Sequence, residues 1–445
     1  MRLTVLGIGY LGLTHAVCLA DLGHEVIGLD VDAEKVARAA SGEVPFFEPG
    51  LEPLLRKNLD AGRLRFTTSY QEVAEFGEVH FLCVGTPQAA DGSADLSQVM
   101  GAADALAPHL SGRCLLVGKS TVPVGTARTL MARVQANAPA GDDVEIAWNP
   151  EFLREGLAVQ DSLSPDRFVF GVGSQHAANL MCEVYAVPLA SGVPWLAMDL
   201  ETAELVKVSA NAFLATKISF INAMAEVCEA VGADVTRLAD ALGHDPRIGA
   251  RFLSPGLGFG GGCLPKDIRA FRFAAGELGV TSVVNILTEV DSINVNRRAR
   301  VVDLTRKVVG GTLEGCRVAV LGLAFKPGSD DVRDSPSLDV CGLLAQEGAL
   351  VTAHDPVAIK NAGKIRPELR YADSVSTAAA DADVVLHLTE WADYGAIDPR
   401  LLGTVVAQRN VIDARCTLEE APWRAAGWSF HCLGRPSAAL PNGKP

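Results

Sequence analysis

The first thirty residues follow the hydrophobic pattern of a strand, a turn, a helix and a second strand. Residues 3–6 form a short apolar run, which is typical of a buried strand. The glycine-rich turn 7–12 leads into a helical pattern that continues to about residue 22, where Gly23 is the expected C-cap. A second strand is predicted over 25–30. Because parallel strands need a long crossover, usually a helix, this order predicts the first unit of a parallel α/β sheet.

The alternation of strands and helices continues along the chain and is interrupted by long helices. Residues 199–231 form one helical pattern without proline or glycine, and a helix-rich stretch covers about 266–309. A second strand–turn–helix–strand course runs from about 317 to 356. Its turn, 322–326, lacks the three-glycine spacing, so we expect it to bind something other than a dinucleotide in the standard way. Further strands are predicted over 79–84, 114–119, 145–148 and 167–172.

These patterns predict an α/β protein with two Rossmann-like parallel-sheet domains joined by a long central helical connector. Residues 1–198 are the predicted N-terminal dinucleotide-binding domain, 199–309 the central helical and dimerisation domain, and 310–445 the C-terminal domain. The length of 445 residues agrees, since domains average about 150 residues. The tail, 434–445, is rich in glycine, proline and alanine and is expected to fray.

Charge and cysteine content exclude several classes of partner. The chain has 39 Lys and Arg against 53 Asp and Glu, a net charge of −14, which disfavours a nucleic-acid surface. We see no run of about 18 apolar residues and no secretion signal, so neither a membrane span nor export is expected. The ten cysteines are scattered without C-x-x-C or zinc-like spacing. We therefore expect reduced thiols in a cytoplasmic protein and no metal site.

The first glycine turn has the spacing of a dinucleotide-binding loop. Gly7 permits the tight turn, Gly9 lets the backbone approach a pyrophosphate, and Gly12 lets helix and strand pack closely. The helix N-terminus then faces the phosphates. Asp30, at the end of the second strand, is placed to accept hydrogen bonds from ribose hydroxyls and to repel the extra phosphate of NADP. NAD is therefore the expected cofactor, although Lys35 lies close by; the alternative is a turn that serves packing alone.

Two turns and one acidic loop follow later strands of the same predicted sheet. Thr86, after Gly85, and Thr121 lie where ligands bind in such sheets, but ordinary turn chemistry explains them equally well. Glu151 and Glu155 are four residues apart, and either could activate a water as a base. On the residues alone, solvated or capping glutamates are the stronger alternative.

A lysine and an asparagine lie on an otherwise apolar part of the long central helix. Lys207 and Asn211 are four residues apart and therefore share one face. Burying polar groups among apolar neighbours costs free energy unless they find polar partners, so both residues suit a polar substrate cleft. There Lys207 could donate to an oxygen that gains negative charge. The alternative is a lysine at the edge of the face that reaches water.

The most informative segment is the glycine-rich run 258–267. Its four glycines allow close approach of the backbone, and Pro265 suits the start of a helix. Cys263 then lies just before a helix N-terminus, where the helix dipole and Lys266 favour the thiolate, and Asp267 could accept a proton. A structural cysteine beside a flexible loop is the weaker alternative.

A nucleophilic thiol together with NAD suggests that one site takes a primary alcohol to a carboxylate. The alcohol loses a hydride to NAD, and the thiolate adds to the resulting aldehyde. Loss of a second hydride leaves a thioester, which water hydrolyses to the acid. The aldehyde need never leave the site.

Cations for an anionic ligand are predicted in loops of the second half. Lys326 and Arg333 lie in glycine- and proline-containing loops after a strand, where they could clamp a nucleotide diphosphate. Arg247 is another candidate. Taken singly, each is equally well explained as a loop charge in water.

The combined motifs resemble those of the UDP-glucose/GDP-mannose dehydrogenase family over essentially the whole chain. Their order and spacing together are highly specific. Two positions depart from the family pattern: Ser254-Pro255 lies where some relatives carry a lysine, and Gly262 where serine is common. The matching segments are Gly7 to Gly12, Gly85-Thr86-Pro87, Ser120 to Pro123, Asn149 to Leu153, Lys207 with Asn211, Gly260 to Asp267, and Phe325-Lys326 with Arg333.

The resemblance implies an enzyme that uses two NAD to oxidise UDP-glucose to UDP-glucuronate, with a UDP-sugar-binding C-terminal domain and a homodimer about the central helices. In the family the position of Arg247 reaches a neighbouring subunit's site. The implied catalytic residues are Cys263 as nucleophile, Lys207 and Asp267 for the first oxidation, Glu151 and Thr121 for the water and thioester hydrolysis, and Asn211. The implied cofactor contacts are Gly7, Gly9, Tyr10, Leu11, Gly12, Asp30, Lys35, Gly85, Thr86, Thr121, Glu155, Cys263, Lys266 and Arg333. The implied substrate contacts are Glu151, Phe152, Leu153, Lys207, Asn211, Arg247, Phe259, Gly260, Cys263, Phe325 and Lys326.

Other functions stay open on the residues. GDP-mannose oxidation by the same chemistry is the first alternative, and a hydroxyacid dehydrogenase that transfers one hydride and needs no thiol is the second. UDP-N-acetylhexosamine oxidation is less expected, because relatives with that role usually lack the Pro265-Lys266-Asp267 pattern. A non-catalytic redox sensor that binds NAD is disfavoured by the joint presence of Cys263, Lys207 and Asp267.

Overall fold

The computed structural model describes residues 1–436. The chain divides into two compact units, Met1–Ala210 and Asn211–Pro445, and the boundary between them falls inside one long helix. Residues 437–445, most of the tail that is predicted to fray, lie outside the described residues. The three-domain division with boundaries at 198 and 309 stays a prediction.

One eight-stranded sheet forms the first unit. Its strand order is β3-β2-β1-β4-β5-β6-β7-β8, and neighbours run parallel except β6 and β7, which pair antiparallel. This confirms the predicted strands, whose ends differ by one or two residues. The strands are β1 (Arg2–Leu6), β2 (Glu25–Leu29), β3 (Leu64–Thr67), β4 (Val79–Leu82), β5 (Cys114–Gly118), β6 (Val144–Trp148), β7 (Phe168–Val172) and β8 (Trp195–Met198).

Helices cover both faces of this sheet, so its central strands are buried on both sides. Leu3 and Val5 of β1 pack into one apolar cluster, and Leu6 packs into the cluster on the opposite face. Such strands appear in sequence as continuous apolar runs. The helices are α1 (Tyr10–Asp21), α2 (Ala33–Ala40), α3 (Leu51–Asp60), α4 (Tyr70–Phe76), α5 (Ser97–Leu106), α6 (Thr126–Asn137), α7 (Ala158–Leu163), α8 (Gln175–Val184) and α9 (Ala186–Ala190), with short 3-10 turns at Ala107–His109 and Gly141–Asp143. The long helix α10 (Leu200–Val231) follows.

The second unit joins central helices to a six-stranded, all-parallel sheet. The strand order is β11-β10-β9-β12-β13-β14. Both sheets are α/β arrangements, which confirms the predicted fold class. The strands are β9 (Arg317–Leu321), β10 (Leu350–His354), β11 (Arg370–Tyr371), β12 (Val384–His387), β13 (Asn410–Asp413) and β14 (Ser429–Cys432). The helices are α11 (Val235–Gly243), α12 (Leu264–Glu277), α13 (Thr281–Val308), α14 (Pro336–Gln346), α15 (Ile359–Ile365), α16 (Val375–Ala379), α17 (Ala392–Gly395), α18 (Pro399–Leu402) and α19 (Glu420–Ala425).

Gly434 and Arg435, near the end of the described residues, pack onto the central helices of this unit. The amide of Gly434 donates to Glu229 Oε1 at 2.8 Å, and Arg435 donates to Thr236 Oγ1 at 3.1 Å. The described beginning of the tail is therefore held by hydrogen bonds rather than frayed.

The two sheets begin with the same kind of turn. The amide of Gly7 (φ +87°) donates to the last carbonyl of β2, and that of Gly322 (φ +102°) donates to the last carbonyl of β10. Asp30 after β2 and Asp355 after β10 each accept a hydrogen bond from the residue that follows the turn glycine. Asp355 also accepts one from Trp391 Nε1 at 3.3 Å, which occupies the carboxylate that a ribose would need. That the second turn binds something other than a dinucleotide in the standard way stays a prediction.

Candidate active site

The first glycine turn has the close packing that its spacing predicts. A β-carbon at residue 12 would lie 1.7 Å from the carbonyl oxygen of Gly7, so only glycine lets α1 approach the turn this closely. A β-carbon on Gly9 would meet no protein atom within 4 Å. The open side of the turn, next to the N-terminus of α1, therefore has room for the phosphates of a dinucleotide.

Asp30 is fixed at the end of β2, and a cleft of about 360 Å³ beside this turn is lined by Gly9, Asp32 and Lys35. The two carboxylate oxygens of Asp30 accept the amides of Ile8 and Asp32, both at 3.0 Å. Lys35 Nζ lies 4.0 Å from Asp30 Oδ1 and lines the cleft together with Gly9. Asp30, the predicted partner of the ribose, and Lys35, the lysine that could alter the preference for NAD, are thus neighbours.

A glutamate that the sequence analysis missed connects Tyr10 to the acidic loop. Glu48, buried, accepts hydrogen bonds from the Tyr10 hydroxyl and from the amides of Gly156 and Ala158, the latter two at 2.7 and 2.8 Å. Burial and the neighbouring Glu48 carboxylate raise the pKa of Tyr10, and Glu155 adds to this electrostatically. Glu48 lies in a loop without periodicity, so no local signal marked it.

The turns after β4 and β5 are tied together. Thr86 Oγ1 donates to the carbonyl of Thr121 at 2.9 Å, and Ser120 Oγ donates to the carbonyl of Val84 at 2.6 Å. Thr86 is buried, Thr121 is half-buried, and Gly85 is exposed. The structure therefore brings the two predicted threonines together at the carboxyl ends of adjacent strands.

Lys207 and Glu151 form an ion pair that is largely shielded from water. Lys207 Nζ lies 3.0 Å from Glu151 Oε1, with side chains 7% and 13% exposed. The other carboxylate oxygen of Glu151 accepts the amide of Leu153 at 2.5 Å. The ring of Phe152 lies near two cations, its centre 5.6 Å from Lys207 Nζ and 3.9 Å from Arg167 Cζ. The two alternatives, a lysine that reaches water and a glutamate in solvent, therefore do not fit the positions of Lys207 and Glu151.

In the second unit, Cys263 is the N-cap residue of α12, and its side chain is exposed. Two residues of the first turn pair with each other: Lys266 Nζ lies 2.7 Å from Asp267 Oδ1. Asn211 Nδ2 donates to the other oxygen, Asp267 Oδ2, at 2.7 Å. Asp267 and Asn211 are both buried. The thiol therefore projects from a helix N-terminus whose first turn holds a carboxylate oriented by an amide and an ammonium.

The glycines before Cys263 allow the loop to pass close to the segment after β9. A β-carbon on Gly260 would lie 2.3 Å from the carbonyl oxygen of Asp334, and one on Gly261 (φ +85°) would lie 2.8 Å from the Phe325 ring. The amide of Gly261 donates to the carbonyl of Arg333 at 3.0 Å. The predicted close approach of backbone is therefore made to the loop that carries Phe325, Lys326 and Arg333.

Phe259 is held by a buried asparagine of α13. Its amide donates to Asn294 Oδ1 at 2.8 Å, and Asn294 Nδ2 donates back to its carbonyl at 2.9 Å. Asn294 is fully buried. These two hydrogen bonds hold the backbone of the loop in place just before Gly260.

The predicted cations occupy different environments. Lys326 Nζ lies 5.4 Å from the centre of the Phe325 ring. Arg333 pairs with Asp331 through Nε and Nη2, at 2.9 and 2.6 Å, and is 62% exposed. Arg247 is 87% exposed and pairs with Asp245, so the structure does not bring it to the other predicted residues.

Arg415 is a site residue that the sequence analysis missed. Its guanidinium donates to the carbonyls of Gly258 and Phe325, at 3.1 and 3.3 Å, and to that of Leu388 at 2.6 Å. It joins the glycine loop to the loop after β9. The apolar pair just before it, in what the structure shows as β13, was an available signal, because ligands bind at the carboxyl ends of buried parallel strands.

Among residues 1–436, no group of three or more His, Cys, Asp and Glu side chains could hold a metal ion. Within the same residues, the helices are all too short or too polar to cross a bilayer. Burial of the cysteines is uneven: seven are buried, Cys182 and Cys416 are half-buried, and Cys263 is exposed.

The sheets, the dinucleotide turn and the exposed thiol define a nucleotide-dependent oxidoreductase of the α/β class. Comparison with known families agrees along the chain: residues 1–188, 201–296 and 319–420 match the NAD binding, central and UDP binding domains of the UDP-glucose/GDP-mannose dehydrogenase family. The chain belongs to this family. The predicted resemblance and the NAD cofactor are confirmed.

Individual relatives match over their whole length. The chain is 40% identical over 446 residues to UDP-glucose 6-dehydrogenase YwqF of Bacillus subtilis, covering 100% of this chain and 99% of that protein. It is also 40% identical to the UDP-glucose 6-dehydrogenase of Rhizobium meliloti, covering 98% and 100%. A UDP-glucose dehydrogenase structure from Pyrobaculum islandicum superposes with a TM-score of 0.90 at 39% identity, covering 98% of both chains.

Proposed function

We propose that this protein oxidises UDP-glucose to UDP-glucuronate with two NAD, through a covalent thioester on Cys263. The observation that carries the proposal is the exposed Cys263 thiol at the N-terminus of α12, with Asp267 held by Asn211 and Lys266 one turn inside. Full-length relatives named UDP-glucose 6-dehydrogenase, at 40% identity, support UDP-glucose over GDP-mannose as substrate.

The first oxidation needs a proton acceptor and a donor to the sugar oxygen. NAD, when bound at the Gly7–Gly12 turn, supplies the hydride acceptor. Asp267 is oriented to take the proton of the sugar hydroxyl, directly or through water, since its partners Asn211 and Lys266 fix both carboxylate oxygens. Lys207 donates to the oxygen that gains negative charge, which its buried position makes more effective.

The second oxidation and hydrolysis use the thiol and Glu151. The Cys263 thiolate forms a bond to the aldehyde carbon and gives a thiohemiacetal, whose loss of a hydride leaves a thioester. A water activated beside Glu151 adds to the thioester carbonyl, the C–S bond breaks, and the thiol is regenerated. In total, one alcohol, two NAD and one water give one carboxylate, two NADH and three protons.

The stoichiometry of NADH tests this proposal. UDP-glucose and GDP-mannose are supplied separately with NAD, and NADH is counted per sugar consumed. We expect two NADH per UDP-glucose and little turnover of GDP-mannose. One NADH per sugar would favour the single-hydride dehydrogenase, and turnover of GDP-mannose alone would favour the alternative substrate.

The role of the thiol is tested by Cys263→Ser, with Cys182→Ser as the matched control. C263S should bind NAD normally but form no covalent adduct and no acid, whereas C182S should keep wild-type turnover. Full acid production by C263S would contradict the covalent route.

We also propose that the protein acts as a homodimer about α10. Three exposed apolar side chains on this helix, Phe213, Phe220 and Val227, are seven residues apart and therefore lie along one stripe. A second copy of the chain is the expected occupant of this stripe. Analytical ultracentrifugation tests this proposal. We expect the wild type to sediment as a dimer and the Phe220→Glu variant as a monomer. A monomeric wild type would refute the proposal.

A further inference from the structure

A lysine that none of the proposed steps uses is buried at the carboxyl end of β5. Lys119 is 6% exposed, and its Nζ donates to Asn149 Oδ1 at 2.9 Å and lies 3.4 Å from the Tyr185 hydroxyl. Burial lowers the pKa of Lys119 to about 8. Burying an ammonium group costs free energy unless the group is paired or hydrogen-bonded, so the partners of Lys119 indicate what it does.

Asn149, the partner of Lys119, connects three neighbouring strands. It is the residue directly after β6; its backbone amide donates to Gly118 of β5 at 2.8 Å and its side-chain amide donates to Val169 of β7 at 3.0 Å. The Tyr185 hydroxyl donates to the same Oδ1 at 2.7 Å. These bonds lie where the sheet changes from parallel to antiparallel pairing, next to the short β6–β7 contact.

The turn that follows Asn149 carries Glu151. Pro150 and Glu151 come next in the chain, and Glu151 is held at its far end by the amide of Leu153 and by Lys207. Asn149 therefore sets where the turn starts, while the Lys207 pair and the Leu153 amide set where the carboxylate points.

The charged and titratable groups around Lys119 include both members of this ion pair. Glu151 attracts and Lys207 repels the Lys119 ammonium electrostatically, and Cys83 also faces it. Burial and the Lys119 charge both lower the pKa of His15, on α1. Lys119 is therefore coupled to the Glu151 carboxylate without touching it.

We propose that Lys119 is a positioning residue for thioester hydrolysis: through Asn149 it fixes the turn that places Glu151 beside the attacking water. The inference rests on the proposed function, which assigns the water to Glu151. It predicts that loss of Lys119 slows the last chemical step and leaves the two hydride transfers intact.

Lys119→Met is the primary test, because methionine fills the space without the charge or the donor. The thioester should accumulate, so kcat and KM for UDP-glucose should fall together by about tenfold or more, with kcat/KM unchanged. Rapid mixing should show a burst of two NADH per site, and intact-mass spectrometry should show an adduct that Cys263→Ser removes. A general structural defect would instead lower kcat/KM and give no adduct.

A double-mutant cycle tests the route through Asn149. Because Lys119 acts through Asn149, K119M, Asn149→Ala and the double variant should lose similar activity, and additive losses would overturn the proposal. Lys57→Met, which removes an exposed lysine of α3 that pairs with Asp21, is the matched control and should keep kcat within about threefold. If K119M does not fold, Asn149→Ser carries the test, and an unchanged kcat there overturns the proposal.

The same measurements separate this inference from the proposed function. A wild-type enzyme that makes one NADH per sugar, or a C263S variant that makes acid, refutes the proposed function. A wild type that makes two NADH beside a K119M variant with unchanged kcat, or with kcat/KM lowered and no adduct, refutes only the role of Lys119.

Discussion

Gly262 lies directly against the guanidinium of Arg333, so that a β-carbon at residue 262 would be 2.3 Å from Arg333 Cζ. Gly260 approaches the same loop as closely, but there the nearest atom is the backbone carbonyl oxygen of Asp334, also at 2.3 Å. The two contacts differ in what can move. A guanidinium at the end of a flexible side chain can swing away, whereas a backbone carbonyl held between β9 and α14 cannot.

We predict that Gly262→Ser is tolerated and that Gly260→Ala destabilises the fold. G262S should displace Arg333 and change stability by less than about 1 kcal/mol, because a surface side chain adjusts. It should raise KM for the nucleotide ligand, because Arg333 is one of the cations predicted to bind a diphosphate. G260A should cost about 1–3 kcal/mol or more through overpacking. Thermal unfolding and steady-state kinetics of both variants provide the check, and equal losses of stability would contradict it.

The buried pair of Lys207 and Glu151 gives a second prediction. Lys207→Met leaves the Glu151 carboxylate uncompensated and should lower the free energy of unfolding by about 3 kcal/mol or more. Adding Glu151→Gln should restore part of that stability while leaving the enzyme inactive. The control is Arg128→Met, which breaks the exposed pair with Glu201 and should cost less than about 1 kcal/mol. Denaturant titration measures all three variants; a K207M loss no larger than that of R128M would show that the pair is not effectively buried.

Alkylation should single out one thiol of the ten. Cys263 is exposed, whereas burial raises the pKa of Cys18, Cys83 and Cys341 to about 12 each. A thiol with a raised pKa holds little thiolate, which is the reactive form. Iodoacetamide at neutral pH should therefore label Cys263 first, with loss of activity in proportion, as peptide mapping can show. Earlier labelling of half-buried Cys182 would speak against the exposure of Cys263.

Acid should weaken the first unit through His80. This residue of β4 is fully buried, its Nδ1 lies 2.8 Å from Thr4 Oγ1, and burial lowers its pKa from 6.5 to about 4. Between these values the unfolded chain binds a proton that the folded chain does not. The contribution of neutral His80 to the free energy of unfolding is therefore fully present above about pH 6.5. It decreases as the pH drops towards 4, by up to about 1.4 kcal/mol per pH unit.

Replacing His80 tests this dependence. His80→Asn keeps an acceptor for Thr4 and should reduce the loss of unfolding free energy between pH 7 and pH 5. His244→Gln, at an exposed side chain, should leave the loss unchanged. Urea unfolding at the two pH values gives the comparison, and an identical slope in H80N and wild type would assign the acid sensitivity to other groups.

The local features of this protein could be predicted from the amino-acid sequence. The runs 3–6 and 318–321 predict strands, because a strand that is buried on both faces consists mostly of apolar residues. The spacing of Gly7, Gly9 and Gly12 predicts a dinucleotide turn, because the tight turn and the close approach of α1 act over a few residues. The N-cap position of Cys263 follows in the same way from its neighbours.

Which distant residues meet could not be predicted from the sequence, because it depends on how the chain packs. Lys207 pairs with Glu151, Asn211 with Asp267 across 56 residues, Glu48 with the loop at Gly156, and Lys119 with Asn149. The antiparallel direction of β7 could not be predicted either, since a short apolar strand has the same hydrophobic pattern in either direction. These pairings depend on the order in which the strands lie in the sheet and on the loops that this order brings side by side. The packing of the whole core sets this strand order, so it cannot be read from any short segment of the sequence.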